Sequence, residues 1–126
     1  LLDLNKYSKN ERFKVGLTYS RIAKNISDKN INVLIDVIGL FNKLRIYNKK
    51  HIKNYVEIYI RSSLKTIQKK GKKNLYLDLK SRKKIWGLGL KPEFPKNSHI
   101  VINNDFSKSI KKLSQELEKK INKTLK

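Results

Sequence analysis

The chain has 126 residues, with 31 Lys and Arg against 10 Asp and Glu, a formal net charge of +21, and neither Cys nor Met. This length fits one domain with enough chain to bury a core, and the lack of Cys excludes disulfide frameworks and thiolate metal sites. No apolar run reaches the roughly 20 residues that span a bilayer and no signal-peptide pattern opens the chain, so the cytoplasm is the expected compartment. The absence of Met points to a processed chain or a fragment.

A basic excess of this size first suggests nucleic acid. Of the 31 basic residues, however, 26 are Lys and 5 are Arg, whereas recognition of phosphates and base edges favours the planar Arg fork. Lys, Asn and Ile make up 54 of the 126 residues. All three are read from A/T-rich codons, so compositional drift produces the same excess. A solvated, Lys-rich surface is therefore preferred to a nucleic-acid or membrane-surface role.

In chain order, Ser8 to Glu11 fits a capping box, and the apolar positions Phe13, Leu17, Ile22 and Ile26 extend the helix it starts to about Asp28. Asp28 to Asn30 is turn-like. Ile31 to Leu40 is a nearly continuous β-branched run, expected to be a strand buried on both faces, the habit of parallel sheets. Asn42 to Asn54 is expected to be mostly loop, with a short helix around Asn48 to Lys53. Tyr55 to Ile60 is the second strand. Ser62 or Ser63 caps a helix ending near Gly71.

Residues 72 to 98 form an irregular stretch broken by Gly87, Gly89, Pro92 and Pro95. His99 to Asn103 is a third strand, and Ser107 to Leu125 a closing helix with Ile110, Leu113, Leu117 and Ile121 on one face. This alternation predicts an α/β domain, one unit over residues 1–126, with a mainly parallel sheet. Sites in such sheets gather at the carboxyl ends of strands, here Ile38 to Asn42, Arg61 to Ser63 and Asn103 to Asp105.

Taken without further context, the catalytic inventory is thin. His51 and His99 have no acidic partner at metal-ligand spacing, so no metal site is expected. Asp36 falls inside the apolar run, where a buried carboxylate needs a partner. The phosphate-cradling GxxxxGK[ST] loop is absent from the sequence. Lys69 to Trp86 has the make-up of a lid over an anionic substrate, although an ordinary solvated loop is preferred.

Read in order, the pieces resemble the larger, C-terminal part of an adenylylsulfate (APS) kinase, a P-loop kinase. Leu4 to Arg12 stands where that family has LGFS-x-x-DR. Arg21-Ile22-Ala23-Lys24 and Asp28 to Val33 follow its next helix and turn, and Val37 to Phe41 the strand after it. Glu57-Ile58-Tyr59-Ile60 resembles its E-x-(Y/F)-(I/V) strand and Lys73-Asn74-Leu75-Tyr76 its K-G-L-Y motif. Lys83 to Gly87 resembles the lid motif, and Glu93 to Ser98 the E-x-P-x-N-P stretch.

The resemblance implies a three-layer P-loop kinase-like α/β fold that lacks its N-terminal strand and phosphate loop. It implies transfer of phosphate from ATP, with Mg²⁺, to the 3′-hydroxyl of adenosine 5′-phosphosulfate in sulfate assimilation. By the same resemblance Tyr7 packs on the substrate's adenine, Arg12 binds the phosphosulfate, and Ile38 and Gly39 line the nucleotide. Lys73 and Lys83 approach substrate anions, and Ile85 replaces the phenylalanine that covers the adenine from the other side. A homodimer is left open.

Departures accompany the match. Gly39 stands where bacterial members have serine, Val15 where the family has Asn, and Lys70-Gly71 where it has Arg-Asp. The Walker A loop and D-G-D motif precede residue 1 in family order. The chain alone is therefore expected neither to bind ATP and Mg²⁺ strongly nor to be a competent kinase. Two alternatives are another P-loop nucleotide or small-molecule kinase, and a basic nucleic-acid-binding module acting through residues such as Lys111 and Lys112.

Overall fold

The computed structural model describes residues 8–38, 40–70 and 89–125. These form α1 (Lys9–Ser27), α2 (Asn42–His51), β1 (Ile58–Arg61), α3 (Leu64–Lys70), β2 (Ile100–Asn103) and α4 (Ile110–Thr124). They fall into two compact units, one within Leu1–Tyr55 and Ser81–Phe94, the other within Val56–Lys80 and Pro95–Lys126. The architecture is α/β with a small parallel sheet, compatible with a P-loop kinase-like fold.

In the first unit, α1 starts at the expected capping box. The Glu11 amide donates to Ser8 Oγ at 3.3 Å, and the Ser8 amide donates to Glu11 Oε2 at 3.2 Å, so two orphan donors of the first turn are satisfied reciprocally. The helix stops at Ser27. The Asn30 amide then bonds back to the Ser27 carbonyl at 2.9 Å, with Asn30 at φ 60°, a left-handed conformation that Asn tolerates better than most residues.

The buried face of α1 is made of small residues rather than the large apolar stripe expected. Ser20 and Ala23 are buried, while Ile22 and Ile26 are exposed. Gly16, one turn before Ser20, meets the buried Leu44 of α2 so closely that a Cβ there would overlap Leu44 Cδ1. Ser20 Oγ donates to the Gly16 carbonyl at 3.0 Å, so its hydroxyl is satisfied inside the contact. Phe13 meets the buried Phe41 edge to face, with centroids 5.6 Å apart.

Two expectations fail in this unit. The loop expected after Asn42 is a full helix, α2, of 10 residues. Its N-cap residue Phe41 offers no capping side chain, so the local sequence carries none of the usual start signals. The run expected as a buried strand is irregular and exposed over Ile31–Ile38, including Asp36, with Leu34 89% and Ile38 72% exposed. A β-branched run forms a strand only when another strand answers its backbone groups, and the described residues of this unit include no other strand.

The second unit is built on β1 and β2, parallel and in register from Ile58 opposite Ile100 to Arg61 opposite Asn103. Its core is centred on β2, where Ile100 and Ile102 are 3% and 2% exposed. Both strands begin slightly later than the sequence indicates. Before β1, the Glu57 amide donates to His99 Nδ1 at 2.9 Å, and Ser98 Oγ donates to Glu57 Oε1 at 2.7 Å. These side-chain bonds tie the two strand entrances together.

Ser63 caps α3 as expected, accepting the Thr66 amide at 3.0 Å. α4 begins three residues later than expected because Asp105 folds back on Ser107, accepting its amide at 2.9 Å and its hydroxyl at 2.6 Å. Ser109 then takes the capping position, its Oγ accepting the Lys112 amide at 3.3 Å. Leu113, Leu117 and Ile121 are half-buried as expected, but Ile110 is exposed.

Gly16→Val is expected to lose about 1–3 kcal/mol of stability through overpacking against Leu44, and Ile102→Ala about 2–5 kcal/mol through a cavity under the sheet. Urea unfolding followed by circular dichroism measures both. A wild-type midpoint for Gly16→Val would refute the close helix contact.

Candidate functional site

In the first unit Lys9, Arg45 and the start of α2 meet at Glu93. The carboxylate accepts the backbone amide of Asn42, the first residue of α2, at 2.7 Å, and the Lys9 ammonium of α1 lies 3.4 Å from its other oxygen. The Glu93 carbonyl accepts Arg45 Nη2 at 2.7 Å, and its amide donates to the Leu40 carbonyl at 3.2 Å. Glu93 is thus the missing cap of α2. A charge-assisted bond at a helix N-terminus complements both the orphan amides and the macrodipole.

The Asn42 amide holds the Glu93 carboxyl below the usual glutamate range, with Lys9 and Arg45 reinforcing it against a desolvation penalty. The sequence singles out Glu93 only as part of a resemblance. The physical signal was its acidity in a chain with 10 acidic residues against 31 basic ones.

Of the residues implied by the resemblance, Arg12 and Ile38 lie in this unit. Arg12 sits in the first turn of α1, its amide donating to the Ser8 carbonyl at 3.1 Å, and its side chain is half-buried and engaged. Ile38 ends the exposed apolar segment. Tyr7, Gly39, Lys73, Lys83 and Ile85 lie outside the described residues.

The second unit brings together two of the three strand ends singled out from the sequence. Arg61 Nε donates to Asn103 Oδ1 at 2.8 Å, and the Asn104 amide donates to the Arg61 carbonyl at 2.8 Å. Beyond them, Asn104 Oδ1 accepts the amide of Phe106, which is held at φ 64°, an uncommon conformation for an aromatic residue. The Ser107 hydroxyl and then its amide lower the Asp105 carboxyl below its ordinary range, with Lys108 adding to the effect. Ser62 Oγ is buried at the end of β1 with no partner among the described residues.

The other end of β2 carries an open depression of about 490 Å³, lined by His99, Ile100, Val101, Lys120, Lys123 and Thr124. Lys120 is engaged there, donating to the Val101 carbonyl at 2.7 Å and pairing with Glu116 at 3.2 Å. Among the described residues no group of three or more His, Cys, Asp or Glu comes together that could hold a metal ion. No described helix is long and apolar enough to cross a membrane.

Residues 2–103 match the sequence model of the adenylylsulphate kinase family. The chain belongs to that family. Two curated relatives accompany the match. The chain is 28% identical over 116 residues to a cytidine diphosphoramidate kinase of Campylobacter jejuni, covering 91% of this chain and 68% of that protein. It is 30% identical over 102 residues to a probable adenylyl-sulfate kinase of Archaeoglobus fulgidus, covering 79% of this chain and 65% of that protein. The chain thus spans about two thirds of the length of either relative. No solved structure matches it. The family match takes in both Arg12 and Glu93, so the α2 cap is built from residues within the shared domain.

Glu93→Gln keeps an acceptor for Asn42 but loses the charge. Because the folded carboxyl binds its proton less tightly than the unfolded one, its contribution is present above about pH 4.3, the ordinary glutamate value. It is lost as pH falls through the lowered folded value. Urea midpoints measured from pH 6 down to pH 3 are expected to fall less steeply for Glu93→Gln than for wild type. Glu93→Ala should cost about 1 kcal/mol at pH 7, as for loss of a helix cap.

Proposed function

We propose that the protein is the acceptor-binding part of a kinase that transfers phosphate from ATP to the 3′-hydroxyl of adenosine 5′-phosphosulfate, acting in the cytoplasm in sulfate assimilation. The observation that carries this reading is the adenylylsulphate kinase family match over residues 2–103, which spans Tyr7, Arg12, Ile38, Gly39, Lys73, Lys83 and Ile85. A guanidinium suits a sulfated or phosphorylated acceptor, since its fork meets tetrahedral oxyanions with two parallel hydrogen bonds. Arg12 is held by the capped first turn of α1, which fixes the backbone from which that fork extends.

In this family ATP supplies the phosphoryl group and Mg²⁺ neutralises the charge that develops on it. In this reading the described residues contribute to placing the acceptor: Arg12 for its anionic group and Ile38 for its apolar nucleoside face.

A second acceptor has specific support. The relative named as a cytidine diphosphoramidate kinase aligns with 91% of this chain, against 79% for the adenylyl-sulfate kinase. Ile85, where an adenine-covering phenylalanine is the family habit, gives apolar contact without aromatic stacking, which suits a smaller base. Cytidine diphosphoramidate would keep the tetrahedral anionic terminus that Arg12 is proposed to bind.

Calorimetric titration of the 126-residue chain with each nucleotide distinguishes the two. Adenosine 5′-phosphosulfate is expected to bind more tightly than cytidine diphosphoramidate, and Arg12→Ala to weaken it about 10-fold or more, the loss of one charge-assisted contact. The opposite order of affinities would assign the second acceptor. An Arg12→Ala chain that binds both nucleotides like wild type would refute the role given to Arg12.

A further inference from the structure

The carboxyl ends of β1 and β2 meet in a junction that offers donors to the outside. Arg61 Nε donates to Asn103 Oδ1 at 2.8 Å, and the Arg61 carbonyl accepts the Asn104 amide at 2.8 Å. A guanidinium can only donate, so this bond settles which way the Asn103 amide faces: its oxygen is taken, and its NH₂ group is turned away from the bond. Both Nη groups of Arg61 and Nδ2 of Asn103 have no partner among the described residues. Both side chains are exposed. Asp105, just beyond Asn103, is turned to the amide and hydroxyl of Ser107 and makes no ion pair with Arg61.

A ligand for these groups must bring acceptors and negative charge. With Nε tied down, the two Nη groups stand side by side as the fork that meets two oxygens of an oxyanion. The same bond removes part of the freedom that an exposed arginine loses on binding. Asn103 Nδ2 adds a donor beside the fork. A carboxylate, whose two oxygens the fork already occupies, has no third oxygen for it, whereas a tetrahedral oxyanion has. The place is also the one at which open parallel sheets receive ligands, outside the carboxyl ends of their strands. The +21 charge of the chain favours an anion there.

We propose that Arg61 and Asn103 form a binding site for a phosphate or sulfate group, free in solution or carried by a nucleotide. Arg61 supplies the charge and the paired donors, and Asn103 both orients the guanidinium and supplies the further donor. The site goes beyond the placement of the acceptor by Arg12 and does not depend on which nucleotide that acceptor is.

The probe is inorganic phosphate, titrated at constant ionic strength into the 126-residue chain and followed by the NMR signals of Arg61 Nε–H and Asn103 Nδ2. Both signals are expected to shift together and to saturate at millimolar phosphate. Arg61→Lys keeps the charge but loses the fork, and should weaken binding about tenfold. Asn103→Asp sets a carboxylate against Arg61 in the place of the ligand. It should abolish saturable binding while the Ile100 and Ile102 amides keep their protection from exchange, which shows that the strands remain paired. Adenosine 5′-monophosphate, with adenosine as its control, identifies the source of the group. Saturation of the Arg61 signal about tenfold or more below inorganic phosphate assigns the group to a nucleotide, and equal affinity assigns it to the free ion.

Shifts that grow without saturating and are matched by chloride would mean screening alone, and would overturn the site. So would an Arg61→Lys or Asn103→Asp chain that binds phosphate like wild type. The signals are local to Arg61 and Asn103, so their failure leaves the role of Arg12, read by calorimetry with the acceptor nucleotides, untouched.

Discussion

The arrangement of the first unit depends on one carboxylate. Glu93 reaches across 51 positions of sequence to the amide of Asn42, and without it α2 would begin on bare N–H groups, since Phe41 has no side chain to offer them. The same residue holds Lys9 of α1 through its other oxygen and Arg45 of α2 through its carbonyl. Helix entry, helix pairing and the return of the chain at Leu40 therefore converge on one position. Its charge makes the convergence favourable: a neutral acceptor would satisfy Asn42 but would attract neither cation.

That economy recurs through the molecule. In so basic a chain, carboxylates are scarce, and the described ones are mostly committed to the backbone or to a specific cation. Glu11 closes the capping box and Asp28 pairs with Lys24. Glu57 joins the strand entrances through Ser98. Asp105 folds the chain before α4, and Glu116 bridges Lys108 and Lys120, which together hold its carboxyl low while Glu116 raises Lys108. These exposed pairs contribute little singly. Their collective effect is placement, because each fixes an end or a turn that the abundant lysines leave undetermined.

What the sequence disclosed follows the range of the interactions involved. The α1 cap, the Asn30 turn and the Ser63 cap rest on contacts within a few residues, and all were legible; β2 was read from its own β-branched run and has its partner in the distant β1. The start of α2 was not, because its cap lies far along the chain. Nor was the exposure of Ile31–Ile38, since local pattern reports an aptitude for strand but not the presence of a neighbour to pair with. The small buried face of α1 was hidden for another reason: Ser20 and Gly16 carry no hydrophobic signal, and their contribution is the room they leave for Leu44. Of the residues the resemblance implies, Arg12 and Ile38 lie among those described, while the cap formed by Glu93 and the junction of Arg61 with Asn103 emerged only from geometry.

The contact at Gly16 also sets off the interior of this protein from its surface composition. A surface accepts Lys and Asn at little cost, because a solvated side chain meets only water. At Gly16 any replacement adds at least a Cβ, and that atom would meet Leu44 Cδ1, so the Leu44 side chain would have to shift. A chain in which the abundant residues are long and charged thus keeps its smallest residue where two helices meet most closely, and the composition that suits its surface is unsuited to that contact.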